Sequence, residues 1–161
     1  MKQAAMIEKL KTLNRTYLIL GIFALLVAVF YGNTLFNGFV LDDRLLIEQN
    51  SVLQSWQNFP KLFGGCPLES SSDSCPVFYY RPLLHVWNFL LYQISPEPWI
   101  FHLGNLFAFL GTVFLVFAFV KILTRRLSLA FGTALLFLVN PHNTEVVNWP
   151  SAIGELFLVL F

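Results

Sequence analysis

Residues 17–36 read YLILGIFALLVAVFYGNTLF, twenty consecutive positions without an acidic or basic side chain. A helix needs about 20 mostly apolar residues to cross the ~30 Å hydrocarbon core of a bilayer. This stretch therefore predicts a membrane span. Of all 161 residues 57% are apolar and only 12% are charged, which is too little charge to cover the surface of an ordinary soluble domain.

Further apolar runs follow the first one along the chain. Residues 99–120 contain no Asp, Glu, Lys or Arg, residues 127–139 form a shorter run, and another run begins at Ser151. The short run can cross the membrane only if the long side chains of Arg125 and Arg126 extend to the membrane–water interface. We therefore predict an all-α, polytopic membrane domain, the N-terminal part of a larger protein, with spans at about 17–36, 99–122, 125–140 and, incompletely, 151–161.

Basic residues predict the orientation of these spans. They cluster before the first span and between the second and third, at Lys2, Lys9, Lys11 and Arg15 and then at Lys121, Arg125 and Arg126. Because basic loops tend to stay in the cytoplasm, we predict a cytoplasmic N-terminus and an extracytoplasmic loop over residues 37–98. The membrane is either a bacterial inner membrane or the endoplasmic reticulum. A net charge of +1 argues against a nucleic-acid partner.

The predicted outer loop contains both cysteines and a set of short helices. Cys66 and Cys75 flank a polar stretch, and an oxidising compartment would allow them to form a disulfide, with two free thiols as the alternative. Residues 45–63 have the apolar spacing of short amphipathic helices on the membrane surface, with a break or cap at Asn50 and Ser51.

A longer helix is predicted over residues 83–94, after Pro82 as its first residue. Arg81, His85, Asn88 and Tyr92 follow at spacings of four, three and four, so they form one polar stripe on an otherwise apolar helix. The stripe is either the wet side of an interfacial helix or the wall of an enclosed polar cleft.

Acidic residues occur at two predicted membrane boundaries. Asp42 and Asp43 closely follow the first span, and Glu145 comes just after the third. Carboxylates at such places are costly unless they are solvated, paired or functional. The predicted topology places both sites on the same face of the membrane. These carboxylates either take part in the function of the protein or cap helices and keep loops solvated.

Four short blocks occur in order: NGFVLDD at 37–43, YRPL at 80–83, FHLGN at 101–105 and NPHNTEVV at 140–147. Together they resemble the N-terminal part of the GT-C glycosyltransferases, in the protein O-mannosyltransferase-like branch that often carries C-terminal tetratricopeptide repeats. The resemblance covers nearly the whole sequence. The chain departs from the pattern at Asn140, where a His usually precedes the Pro, and at SAIGE (151–155), where a Gly-Arg usually precedes the acidic residue.

The resemblance implies a membrane glycosyltransferase. Such enzymes move a sugar from a polyprenyl-phosphate carrier to an acceptor hydroxyl on the extracytoplasmic face, with inversion at the anomeric carbon. Asp42 or Asp43 is then the base that takes the acceptor's proton, with Asp42 preferred and the adjacent pair unresolved. Glu145 matches the family's second acidic site. The candidate ligands for the donor phosphate are Arg81, whose planar guanidinium suits phosphate oxygens, and His85, His102 and His142.

Several points stay open in this interpretation. The acceptor is a protein, a lipid or a glycan, and a divalent cation, Mg²⁺ or Mn²⁺, would take Asp42, Asp43 and Glu145 as its ligands. The rival function is a non-catalytic membrane protein, either a lipid-carrier transporter or an assembly scaffold. An enzyme should bring Arg81 and the Asp pair to one cavity, whereas a scaffold should not. The 161-residue piece by itself is expected to be inactive, because the rest of the donor site lies beyond it.

Overall fold

The computed structural model describes residues 2–64 and 81–160, and side chains for residues 15–64 and 81–158. These ranges contain helices and no strand, which confirms the predicted all-α class for this part of the chain. The predicted Cys66–Cys75 disulfide lies outside the described residues. The α-helices are α1 (Lys2–Tyr31), α2 (Pro82–Ile94), α3 (Pro98–Thr124), α4 (Leu127–Leu138), α5 (Asn143–Asn148) and α6 (Ile153–Leu160).

Two stretches are long and apolar enough to cross a membrane. They are Arg15–Phe36, which includes the second half of α1, and Pro98–Thr124, which is α3. Helix α4 has 12 residues and extends about 18 Å at 1.5 Å per residue, well short of a ~30 Å core. The third and fourth spans therefore remain predictions from the sequence.

Aromatic rings hold α1, α3 and α4 together. Phe23 of α1 lies between α3 and α4, with its ring centroid 5.9 Å from that of Phe117 and 5.4 Å from that of Phe131. Nearer the other end of α1, the rings of Tyr31 and Phe109 meet edge to face at 5.2 Å. Such pairs stabilise by about 0.5–1.5 kcal/mol beyond the apolar area they bury.

Hydrogen bonds show which helix ends lie together. Near one end, Lys121 Nζ of α3 donates to Thr16 Oγ1 of α1 at 3.0 Å. At the opposite end, Tyr31 donates its hydroxyl proton to the backbone oxygen of Leu138 at 2.8 Å. The predicted basic turns therefore lie at the first end of the bundle. The segments that carry Asp42 and Glu145 follow Tyr31 and Leu138, so both leave the bundle at the second end.

The segment after the first span forms short helical turns that pack on α2. These turns are a π turn, Arg44–Glu48, and two 3₁₀ helices, Ser51–Gln54 and Trp56–Phe63. Asn50 caps the first 3₁₀ helix by accepting the Val52 N–H at 3.1 Å, which confirms its predicted role as a cap. The Phe89 ring of α2 contacts Trp56 at 5.1 Å and Phe59 at 5.3 Å, edge to face. A second apolar cluster thereby joins this loop to α2 and α3.

Helices α2 and α3 approach each other closely at Gly104, which gives a direct test of the fold. A Cβ added there would lie 2.7 Å from Leu91 Cδ1 and 3.2 Å from Trp87 Cζ2. We expect Gly104→Ala to lower the stability by about 1–3 kcal/mol, measured as a lower thermal unfolding midpoint in detergent. Gly21→Ala in α1 is the control, because nothing lies within 4 Å of its added Cβ. Equal midpoints for the two variants would contradict the packing described here.

Candidate functional site

Asp43 is the most constrained acidic residue in the described chain. Its side chain is 0% exposed. Oδ1 accepts hydrogen bonds from the Ser151 backbone N–H at 2.9 Å and from the Ser151 hydroxyl at 2.5 Å. Oδ2 accepts the Val40 N–H at 3.2 Å. Burial raises the pKa of the Asp43 carboxyl, while these hydrogen bonds and the nearby His102 oppose that rise.

His102 lies beneath the same loop. It is fully buried in α3, and its Nδ1 forms a 3.0 Å hydrogen bond with the hydroxyl of Thr34. Thr34 belongs to the 3₁₀ helix Gly32–Phe36 at the end of the first apolar stretch. His102 therefore ties the end of that stretch to the start of α3, close to Asp43.

Asp42 differs from its neighbour because its side chain is exposed. The residue before it, Leu41, has φ 48°, a left-handed conformation that is rare for a bulky side chain. Strained backbone of this kind persists where surrounding contacts enforce it, and it clusters at functional sites. Here the enforcing contacts are the pair of hydrogen bonds between Val40 and Asp43, one of them backbone to backbone at 2.9 Å. The burial of Asp43 thus fixes where Asp42 is presented.

Glu145 lies in the first turn of α5 and is exposed, as is His142 just before that helix. The backbone after Glu145 is held by Asn105 of α3, whose amide donates to the carbonyl oxygens of Val146 at 3.2 Å and Trp149 at 3.0 Å. Ser151 follows two residues after Trp149. One polar side chain of α3 therefore positions the segment that leads from Glu145 to the partner of Asp43.

A groove of about 370 Å³ lies between the start of α2 and α6, lined by Arg81, Pro82, Leu83, Leu84, Gly154, Glu155, Phe157 and Leu158. Its walls are mostly apolar, and its two charged residues are one cation and one anion. Of the predicted site residues, Arg81 is therefore the one that the groove contains. None of Asp42, Asp43, Glu145 or the three histidines is among the described residues that line it. The groove therefore does not bring Arg81 and the Asp pair together, contrary to the arrangement that the sequence analysis expected of an enzyme.

The groove and the Asp pair are nevertheless linked through the chain. Ser151, which binds Asp43, precedes Gly154 and Glu155 of the groove wall by three and four residues. The intervening Ala152 and Ile153 are buried, so this connection is fixed in the core. Sequence reasoning assigned no role to Ser151 or Glu155. The departure of residues 151–155 from the family pattern was the signal that could have drawn attention to them.

The residues of the predicted polar stripe on α2 differ in how far they are exposed. Arg81 is exposed, but His85 and Asn88 are only 3% and 1% exposed, so these two do not form the wet side of a surface helix. Among the residues that the structure describes, the buried His85 Nε2 and Asn88 Nδ2 have no hydrogen-bond partner. Burial, with a smaller contribution from Arg81, lowers the pKa of His85 from 6.5 to about 4. His85 is therefore neutral at neutral pH and offers no positive charge to a phosphate.

The described residues do not assemble the acidic side chains into a metal centre. Within residues 2–64 and 81–160, no group of three or more His, Cys, Asp or Glu is placed to hold a metal ion. Asp43 uses both carboxylate oxygens for hydrogen bonds to Ser151 and Val40. The Mg²⁺ or Mn²⁺ that the resemblance leaves open stays a prediction.

Comparison with known proteins gives matches in one class. No protein-family model and no solved structure matches the chain. The protein O-mannosyl-transferase Tmtc2 of Drosophila melanogaster is 34% identical over 128 residues, which are 76% of this chain and 13% of that protein. The protein O-mannosyl-transferase TMTC1 of Mus musculus is 35% identical over 125 residues, 73% of this chain and 13% of that protein.

The chain is similar in sequence to protein O-mannosyl-transferases. This similarity supports the predicted O-mannosyltransferase-like relationship. The matched segment spans only 13% of the length of each relative. The activity, substrates and partners of the whole protein are therefore matters for proposal.

The contribution of the Asp43–Ser151 hydrogen bond to stability can be measured with variants. We expect Ser151→Ala to lower the free energy of unfolding by about 1–3 kcal/mol, because a buried acceptor loses a short hydrogen bond. Ser128→Ala, at an exposed position in α4, is the matched control and should change stability by less than about 0.5 kcal/mol. In the background of Asp43→Asn the effect of Ser151→Ala should differ, whereas purely additive effects would show that the two side chains do not interact.

Neutral, buried His85 predicts a specific pH dependence. The unfolded chain binds a proton below pH 6.5, whereas the folded chain does so only near pH 4, so stability should fall as pH decreases through this window. The difference between wild type and His85→Gln should change by on the order of 3 kcal/mol between pH 7 and pH 4. Thermal unfolding of both proteins at several pH values measures it. Parallel profiles would mean that the His85 pKa is not lowered by folding.

Proposed function

We propose that this chain forms part of a membrane glycosyltransferase that moves a sugar from a polyprenyl-phosphate carrier to an acceptor hydroxyl, with inversion at the anomeric carbon. The observation that carries the proposal is the Arg81 groove, in a chain that is similar to protein O-mannosyl-transferases. The names of these relatives give mannose as the sugar and a protein as the acceptor, and we extend both to this chain.

The groove between α2 and α6 has the character of a site for an anionic lipid. Leu83, Phe157 and Leu158 offer apolar surface to a hydrocarbon chain, and Arg81 offers a positive charge to a phosphate. Polyprenyl phosphate joins these two properties in one molecule. The phosphate is also the leaving group of the proposed reaction, so Arg81 would stabilise the negative charge that develops on it.

The exposed Asp42 is better suited than Asp43 to take the acceptor's proton. In the proposed step the acceptor oxygen forms a bond to C1 of the sugar while the C1–O bond to phosphate breaks. The phosphate leaves with the bonding electron pair, and the hydroxyl proton passes to the Asp42 carboxylate. Asp43 has no exposed surface and its oxygens are already hydrogen-bonded, so its role is to position Asp42.

Glu145 completes the proposed catalytic face. It is exposed and leaves the bundle at the same end as Asp42, since their segments follow Leu138 and Tyr31, which are hydrogen-bonded to each other. A carboxylate at this place would bind a hydroxyl of the acceptor. We assign this end of the bundle to the extracytoplasmic face, because the basic residues Arg15, Lys121, Arg125 and Arg126 belong to the opposite end.

The catalytic assignment is tested by Asp42→Asn in the complete protein. We expect mannose transfer from a polyprenyl-phosphate donor to fall by about 10²–10⁴-fold, the contribution typical of a general base. Glu48→Gln is the matched control, since Glu48 is an exposed acid on the adjacent turn and lies outside the groove. It should transfer mannose at the wild-type rate.

Membrane insertion and thermal stability of Asp42→Asn should match the wild type, so that a loss of transfer reports on chemistry. Undiminished transfer would refute Asp42 as the base. A protein that binds the donor lipid without any transfer, in wild type and variant alike, would instead support the rival transporter or scaffold function.

A further inference from the structure

Glu155 is the acidic residue of the Arg81 groove, and neither the family resemblance nor the relatives' names give it a role. It lies in the first turn of α6, is exposed, and faces the same cavity as Arg81. Among the described residues its carboxylate accepts no hydrogen bond and pairs with no cation. A carboxylate in this state is free to accept hydrogen bonds from a bound molecule.

A negative charge in a groove for an anionic lipid needs an explanation. Like charges at close range repel each other, so a carboxylate next to the phosphate would weaken binding. The same carboxylate becomes favourable if it faces donors of hydrogen bonds rather than the phosphate. The sugar attached to the phosphate carries several hydroxyl groups, and hydrogen bonds from hydroxyls to an ionised acceptor are among the stronger ones.

We propose that Glu155 binds hydroxyl groups of the sugar on the lipid-linked donor, next to the phosphate that Arg81 binds. This inference rests on the proposed function and assigns the specificity of the same site. Arg81 then recognises the part that every polyprenyl phosphate shares. Glu155 distinguishes the sugar-bearing donor from the sugar-free carrier that remains after transfer, which favours exchange of spent carrier for new donor.

A structural role for Glu155 makes a different prediction. An acidic residue in the first turn of a helix interacts favourably with the helix dipole, by about 0.3–1 kcal/mol at an exposed position. Loss of that interaction would lower the stability of the protein and would affect both lipids alike. The two roles therefore separate when binding is measured for a lipid with and without the sugar.

The experiment measures binding of polyprenyl phosphate and of polyprenyl-phosphate mannose to the complete protein in neutral-lipid nanodiscs. The variants are Glu155→Gln, Arg81→Gln and the control Glu48→Gln. We expect Glu155→Gln to weaken binding of the mannosylated lipid about tenfold and to leave binding of the sugar-free lipid unchanged. Arg81→Gln should weaken binding of both lipids, and Glu48→Gln of neither. Thermal midpoints recorded with each lipid absent report any effect on folding.

Each other outcome has a definite meaning. If Glu155→Gln weakens both lipids equally, or neither, the sugar contact is wrong even when Arg81→Gln behaves as expected. If Arg81→Gln weakens neither lipid while Glu155→Gln weakens only the mannosylated one, the sugar contact stands and the proposed phosphate ligand fails. If phosphatidic acid displaces both polyprenyl lipids from the wild type at equal concentration, the groove binds phospholipid and both proposals are overturned.

Discussion

The arrangement of the candidate site depends on one buried carboxyl group. Asp43 is removed from water completely, so its oxygens need partners within the protein, and Ser151 supplies two of the three hydrogen bonds. These residues are 108 positions apart in the sequence. The hydrogen bonds from Ser151 to Asp43 therefore join the loop after the first apolar stretch to the segment that enters α6. It also fixes the backbone on which Asp42 is exposed, including the left-handed Leu41.

Hydropathy was enough to predict the two membrane-length stretches, since Arg15–Phe36 and Pro98–Thr124 coincide closely with the uncharged runs at 17–36 and 99–120. The local signals at Pro82 and Asn50 also predicted correctly where α2 begins and where the loop helix is capped. In both cases the physical cause acts within one or two turns of chain, so a sequence pattern contains it.

The candidate site was less predictable because its contacts are distant in sequence. Asp42 and Asp43 are chemically identical neighbours, and only the position of Ser151 makes one of them a buried anchor and the other an exposed acid. The helical spacing of the α2 stripe likewise placed Arg81, His85 and Asn88 on one face, but not how deep each would lie. The packing of α2 between the loop turns, α3 and α6 buries the last two and leaves Arg81 at the groove.

Arg81 and the Asp pair do not share the groove, although the enzyme hypothesis from the sequence expected them in one cavity. A base for the acceptor and a cation for the leaving phosphate act on opposite sides of the sugar carbon when the reaction inverts it. In the proposed reaction they would contact different parts of the same bound donor, and a carboxylate near the phosphate would hinder binding unless it faced the sugar. In this chain the exposed acid is on the loop held by Asp43, and the cation lines a groove whose wall includes Glu155, four residues after Ser151. The Ser151 contact connects the loop that carries Asp42 to the segment that ends at this groove.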